Sequence, residues 1–293
     1  MKTFILIIAV ITLTGFIFGN DLKNIFTGSQ VEKKEKKKKK NKDSEPVIPG
    51  DVTIKEKWDL PEVLLEVSGI AFLDNERFAC VQDEKGTIYI YNTGSNKIEK
   101  EIEFTGIGDF EGITVQGNTA YVVRADGILY EVDMETKKTN EYKTGLTIEN
   151  NIEGLCYDGK NNRLLMAGKD GDAKYPGYKV IYGFDLVTKS MIKQPVYKID
   201  LSDKLLNNNS SKKSKSIMPS ALAINPATNE IYITDGTKSR LYTMDSSAVI
   251  KKVYELGNEF FQPEGITFSP QADLYISNEG KKVAGNIIQL ELK

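Results

Sequence analysis

From Val52 onward, apolar and polar residues alternate in short runs, a period of two that predicts strands rather than helices. Five such runs resemble one another: Arg77–Gln82, Thr119–Arg124, Arg163–Gly168, Glu230–Thr234 and Asp273–Ser277. Each is followed by a turn rich in Asp, Asn and Gly: Glu84-Lys85-Gly86, Ala125-Asp126-Gly127, Lys169-Asp170-Gly171, Asp235-Gly236 and Asn278-Glu279-Gly280. Turn residues between alternating runs predict hairpins. A further strand follows each turn: Thr87–Tyr91, Ile128–Val132, Lys179–Phe184, Arg240–Met244 and Asn286–Leu292. A more polar strand closes four of the units: Lys97–Phe104, Asn140–Thr144, Val196–Leu201 and Lys251–Leu256.

Ahead of each unit stands a recurring stretch. Asp109-Phe110-Glu111-Gly112-Ile113, Asn151-Ile152-Glu153-Gly154-Leu155 and Gln262-Pro263-Glu264-Gly265-Ile266 are clear copies. Val67-Ser68-Gly69-Ile70 and Pro219-Ser220-Ala221-Leu222 carry serine where the others carry glutamate. The anchors Ser68, Glu111, Glu153, Ser220 and Glu264 are spaced by 43, 42, 67 and 44 residues. A repeat of that length, with four short strands each, predicts an all-β, five-bladed β-propeller over residues 51–293. The fifth unit stops at Lys293 after its third strand. Thr53–Leu60 resembles the outer strand Gln194–Leu201 and is expected to supply the missing strand, pairing with Asn286–Leu292 to close the ring. The long third unit carries two insertions, 172–178 in its hairpin and 203–217 after its last strand; the second reads as a surface loop.

The N-terminal region is different material. An apolar run from Phe4 to Phe18 follows Met1-Lys2, so residues 1–20 read as a signal peptide or membrane anchor. Residues 21–50 contain Val31 to Lys42 as VEKKEKKKKKNK, a charge block with nothing to bury, expected to be a disordered stalk. If the apolar run stays attached, those lysines favour a cytoplasmic C-terminal side. An n-region and h-region ahead of a β domain favour export, so a cell-envelope location is expected, with membrane association through the N-terminal segment. The net charge of −2 argues against nucleic-acid binding driven by bulk charge. The chain has no histidine, which removes Ser-His-Asp and Cys-His catalysis and His-ligated zinc. Cys80 and Cys156, on predicted inner strands of different repeats, are expected to be buried free thiols.

The candidate chemistry sits at the anchors. The first strand of each blade lines a propeller's channel, so Glu111, Glu153 and Glu264 should converge at one end, with Ser68 and Ser220 completing the ring. Three close carboxylates repel unless protonated or bridged by a cation. All-oxygen ligands suit Ca²⁺ or Mg²⁺. The competing reading is that each glutamate caps backbone N–H groups at its strand start. Asp83, Asp126, Asp170, Asp235 and Glu279 form a second possible ring, read first as turn residues. Asp170-Gly171-Asp172 is not an EF-hand loop, since Lys174 falls where a ligand is needed. Arg124 and Lys169 end second strands and are candidates for an anionic ligand. No phosphate-cradling glycine loop is present.

The repeated E-G-I/L units, the Trp58-Asp59-Leu60 strand, the Met218–Leu222 segment and the final Pro263–Ile266 together resemble the SdiA-regulated, YjiK-like family, related to NHL-repeat propellers, over roughly residues 50–293. That resemblance implies a five-bladed propeller behind an N-terminal membrane or signal segment, with a calcium site and no assigned enzymatic activity. Two functional classes follow. The first is a non-catalytic, monomeric envelope propeller that binds a protein or small-molecule ligand at its channel face. The alternative is a calcium-dependent hydrolase of the lactonase or phosphodiesterase class, with a ring glutamate as base. The missing histidine favours the first.

Overall fold

The computed structural model describes residues 50–74, 76–207 and 216–293. The expectations for residues 1–20, for the stalk up to residue 49 and for the middle of the 203–217 insertion lie outside them. Strand β1 (Val52–Asp59) comes first, followed by one 3-10 turn at Glu62–Leu64. Blade 1 comprises β2 (Val67–Asp74), β3 (Arg77–Gln82), β4 (Lys85–Asn92) and β5 (Lys97–Ile107). Blade 2 comprises β6 (Phe110–Gln116), β7 (Thr119–Arg124), β8 (Ile128–Asp133) and β9 (Thr139–Lys143). Blade 3 comprises β10 (Ile152–Asp158), β11 (Arg163–Gly168), β12 (Tyr178–Asp185), β13 (Ser190–Met191) and β14 (Tyr197–Asp200), followed by a helical turn, α1 (Lys204–Asn207). Blade 4 comprises β15 (Ala221–Ile224), β16 (Ile231–Asp235), β17 (Arg240–Met244) and β18 (Ile250–Glu255). The last blade runs β19 (Pro263–Phe268), β20 (Leu274–Asn278), β21 (Asn286–Leu292) and then β1. This is a five-bladed all-β propeller, each sheet antiparallel and ordered from the centre outward.

The sequence pattern explains the packing. Inner strands are covered on both faces and read as near-continuous apolar runs, such as Arg163–Gly168; outer strands such as β5 and β9 alternate with charge. Successive side chains point to opposite faces, so each blade presents one apolar set to each neighbour. Five apolar clusters result, one between each pair of adjacent blades. Ala71, Val81, Ile88, Phe110 and Val122 fill the first junction. Leu64, Ile70, Phe78 and Tyr275 fill the junction between the last blade and the first. Strand β1 lies along β21, from Val52 opposite Leu292 to Asp59 opposite Asn286. Its Val52 belongs to the cluster between blades 4 and 5.

Blade 3 departs from the expected single outer strand Val196–Leu201. Two short strands, β13 and β14, both pair with β12. Pro195 has no N–H to give to a ladder, and the residues before it leave the sheet. Pairing resumes around the gap, with Ile192 N–H donating to Gly183 O at 2.8 Å and Val196 N–H to Ile181 O at 2.8 Å. A β-carbon at Gly183 would lie 2.6 Å from Val196, so a glycine is needed where the chain folds over it. Cys80 and Cys156 are both buried and free, Cys80 on the second strand of its blade. Among the described residues no helix is long and apolar enough to cross a membrane.

Candidate functional site at the channel mouth

Four of the five anchors sit at an irregularity of their inner strand. The pairing of β2 with β3 skips Ser68, that of β6 with β7 skips Glu111, that of β10 with β11 skips Glu153, and that of β19 with β20 skips Glu264. A bulge of this kind re-aims a side chain that regular pleating would send elsewhere. The glycine after the anchor lets neighbouring inner strands approach. A β-carbon at Gly112 would lie 2.8 Å from the Glu153 carbonyl oxygen, and one at Gly69 would lie 3.0 Å from that of Glu111. The motif Glu-Gly is therefore a bulge plus a close approach, repeated around the ring.

The two serines link blades. Ser68 Oγ donates to Phe110 O at 2.5 Å, and Ser220 Oγ donates to Pro263 O at 2.6 Å. In both cases the acceptor precedes the next blade's glutamate anchor. The glutamates have side-chain partners instead. Glu153 is 3% exposed; its Oε1 meets Lys169 Nζ at 2.8 Å and accepts from Asn151 Nδ2 at 3.4 Å. Its Oε2 is buried with no hydrogen-bond partner. Glu264 is 9% exposed; Gln262, whose amide donates to Glu279, favours its charged form. Asp109 stands beside Glu111 and opposes the charged form of its carboxyl.

Burial dominates the electrostatics. It pushes the Glu153 carboxyl up to about 7, although the Lys169 ammonium beside it works the other way. It pushes Glu264 up to about 8, aided by the Glu153 charge. Glu111 is raised well above the ordinary range by burial first, then by Glu153 and Asp109. Past the anchors, Ile70, Ile113, Leu155, Leu222 and Ile266, each two positions on, are buried and line a cavity of about 280 Å³ that none of the anchors borders. Lys169 feels burial as a penalty, but the charges of Glu153, Glu264 and Glu111 outweigh it and raise its ammonium.

The second ring breaks into parts. The Arg124 guanidinium forks onto Asp126, with Nη2–Oδ2 at 2.6 Å and Nε–Oδ1 at 2.9 Å, so Arg124 is taken up by this carboxylate and Asp126 by this cation. Asp235, fully buried at the end of β16, accepts from Met218 N–H at 3.0 Å and Thr237 Oγ1 at 2.6 Å and meets Lys238 Nζ at 3.4 Å. Asp170 contributes its carbonyl, which with that of Lys169 accepts from the buried Lys179 Nζ at 3.0 and 2.6 Å. Burial pushes Lys179 down to about 8. Asp83 and Glu279 lie in an acidic group with Glu66, Glu84 and Asp109. Lys169, read from sequence as an anion contact, sits instead among the ring carboxylates. Sequence reasoning missed Asp109, Asn151 and Gln262. All three stand two residues before an anchor, and the same period of two could have found them.

For a divalent ion, the donor chemistry fits in part. The ligands are all oxygens, and Glu153 Oε2 is a buried oxygen lacking a partner. Yet among the described residues no group of three carboxylates is close enough to hold a metal as it stands. The cation among them is Lys169.

Three comparisons bear on identity. The family described as SdiA-regulated matches residues 51–282. No curated protein matches the chain. Among solved structures, Myxococcus xanthus glutaminyl cyclase is similar at 14% identity and a TM-score of 0.55, covering 83% of this chain and 96% of that one. The PQQ-bound aldose sugar dehydrogenase of Streptomyces coelicolor follows at 13% identity and a TM-score of 0.51, covering 85% of this chain and 100% of that one. At such identities the likeness concerns the fold alone.

Proposed function

We propose that this chain, which belongs to the SdiA-regulated family, is a non-catalytic cell-envelope propeller that binds a protein or small-molecule ligand at its channel mouth, with Ca²⁺ as a structural or bridging ion. One observation carries the reading: the buried, unpartnered Glu153 Oε2 in a ring of three carboxyls raised by burial. Glu111, Glu153 and Glu264 would hold the ion, once Lys169 has moved aside. The ion would supply positive charge that removes their repulsion and links three blades distant in sequence. The N-terminal apolar run would export or anchor the domain, and residues 21–50 would space a monomeric propeller from the membrane.

The test is thermal melting of the wild type and Glu153→Gln, each with CaCl₂ and with EDTA. Ligand bound only to the native state stabilises it by RT ln(1 + [L]/Kd), about 2.7 kcal/mol at a hundredfold excess. Calcium should raise the wild-type melting temperature, and the response should shrink sharply in the variant. No calcium response in the wild type overturns the calcium part of the proposal.

A second reading has one observation in its favour. The Glu153 carboxyl, pushed up to about 7, lies where a general base works best. On that reading the chain would be a calcium-dependent hydrolase of lactonase or phosphodiesterase type, with Glu153 as base. The propeller fold itself does not decide between binding and catalysis. Calcium-dependent turnover of a lactone or phosphodiester panel, lost in Glu153→Gln, would select the hydrolase.

A further inference from the structure

We infer that Lys169 is a built-in cation of the ring: a tethered ammonium that neutralises the buried carboxylates when no metal is bound and that a divalent ion must displace. The displacement half rests on the calcium reading above; the tether rests on geometry alone.

The five blades make the comparison internally. The residue that follows the last one of the second strand occupies one equivalent position in every blade: Asp83, Ala125, Lys169, Gly236 and Glu279. Only blade 3 places a cation there, and blade 3 also carries the most deeply buried anchor carboxylate, Glu153. The lysine backbone is fixed by its N–H donating to Asn151 O at 2.8 Å. Its Nζ then reaches Glu153 Oε1 at 2.8 Å. At the equivalent point of blade 4 the residue is Gly236, and a β-carbon there would lie 2.7 Å from Glu264 Oε1. The Glu264 carboxylate therefore leans into the space that this glycine leaves on blade 4, and its charge is felt by Lys169 one blade further on.

One ammonium does not complete the site. It meets one oxygen of Glu153 and leaves the other buried without a partner. A divalent ion brings twice the charge to the same oxygens. The Lys169 side chain is 25% exposed, while that of Glu153 is 4% exposed, so the lysine has a path to water and the glutamate does not. The lysine thus sets a threshold. An ion must overcome the existing pair before it gains the ring, and ion affinity is lower than the carboxylates alone would give.

The experiment uses the full chain and three variants, Lys169→Met, Glu153→Gln and the double substitution, with calorimetric titration of Ca²⁺ and melting curves in EDTA. Removing one partner of a buried ion pair leaves an uncompensated charge, whereas removing both does not. In EDTA, Lys169→Met should melt below the wild type and the double variant should recover. In the titration, Lys169→Met should bind Ca²⁺ about tenfold or more tightly than the wild type, the equivalent of removing one competing charge contact. Should Lys169→Met not fold, the double variant must fold for the tether to stand. Equal melting and equal calcium affinity in Lys169→Met and wild type overturn the inference even if calcium binds. Destabilised Lys169→Met with a recovered double variant, and no calcium binding to any protein, upholds the tether and sinks only the calcium reading.

Discussion

At the scale of single residues, Asp83 shows how the mouth trades stability for charge. Its Oδ1 is buried with no partner. Burial, then the charges of Glu66, Glu84, Asp109 and Glu279, push its carboxyl from 3.8 up to about 6. The folded state therefore holds a proton that the unfolded state has lost between these two values. Stability falls as pH rises through that window, and the full cost is present above it. A shift of this size would be worth about 3 kcal/mol for a fully buried group, but solvent screening of a partly exposed one cuts this to about 1 kcal/mol. Asp83→Asn should accordingly raise the melting temperature at pH 8 by about 2–4 °C and leave it unchanged at pH 4. A gain of equal size at both pH values would show that repulsion and burial of charge are not the cause.

At the scale of the strand, the informative unit is the bulge and the glycine behind it. Gly112→Ala would set a β-carbon 2.8 Å from the Glu153 carbonyl and 2.8 Å from Leu155 Cβ. Both belong to the next blade's inner strand, so relief requires moving a blade. Overpacking of this kind costs about 1–3 kcal/mol. Gly106→Ala, with nothing within 4 Å of its β-carbon, should be near neutral and serves as the control. Denaturant melts of the two variants distinguish close approach from a generic glycine effect; equal losses would discard the close-approach account. The Glu-Gly recurrence was legible in the sequence because every blade repeats the same steric problem. Alternation made the hairpins legible for the same reason. The split outer strand of blade 3 was half legible: Pro195 marks a break in the ladder, but the return to β12 on both sides of it depends on how Ile192 and Val196 fold over Gly183. The partners of the anchors were half legible. Asn151 and Gln262 lie at the right period, but which side chain meets which carboxylate is fixed by the bulge. Lys169 was visible as a strand-end cation, yet only the neighbouring blades determine that it turns toward Glu153.

At the scale of the whole molecule, closure is the property that no single repeat contains. Four blades draw all their strands from one continuous stretch, while the fifth takes β1 from the other end of the described chain. Thr53–Leu60 was recognisable as an outer strand by its likeness to Gln194–Leu201, although the partner across the ring is a matter of three-dimensional order. The pairing covers β21 along its length, and Ile288 and Leu290, both buried, depend on that cover from one side. Lys55–Glu291 at 2.5 Å is an exposed pair and adds little. Without β1, β21 becomes an open edge with unpaired N–H and C=O groups, the arrangement that invites strand addition from another molecule. A chain beginning at Leu60 should therefore aggregate or melt far below the full protein, whereas one beginning at Gly50 should melt with it. A synthetic peptide spanning residues 51–60, supplied in trans, should bind the shortened chain and restore cooperative melting, because backbone pairing supplies most of what the edge lacks. Cooperative, full-temperature melting of the chain beginning at Leu60 without peptide would mean that the ring of inner strands, from β19 back to β2, holds the propeller closed unaided.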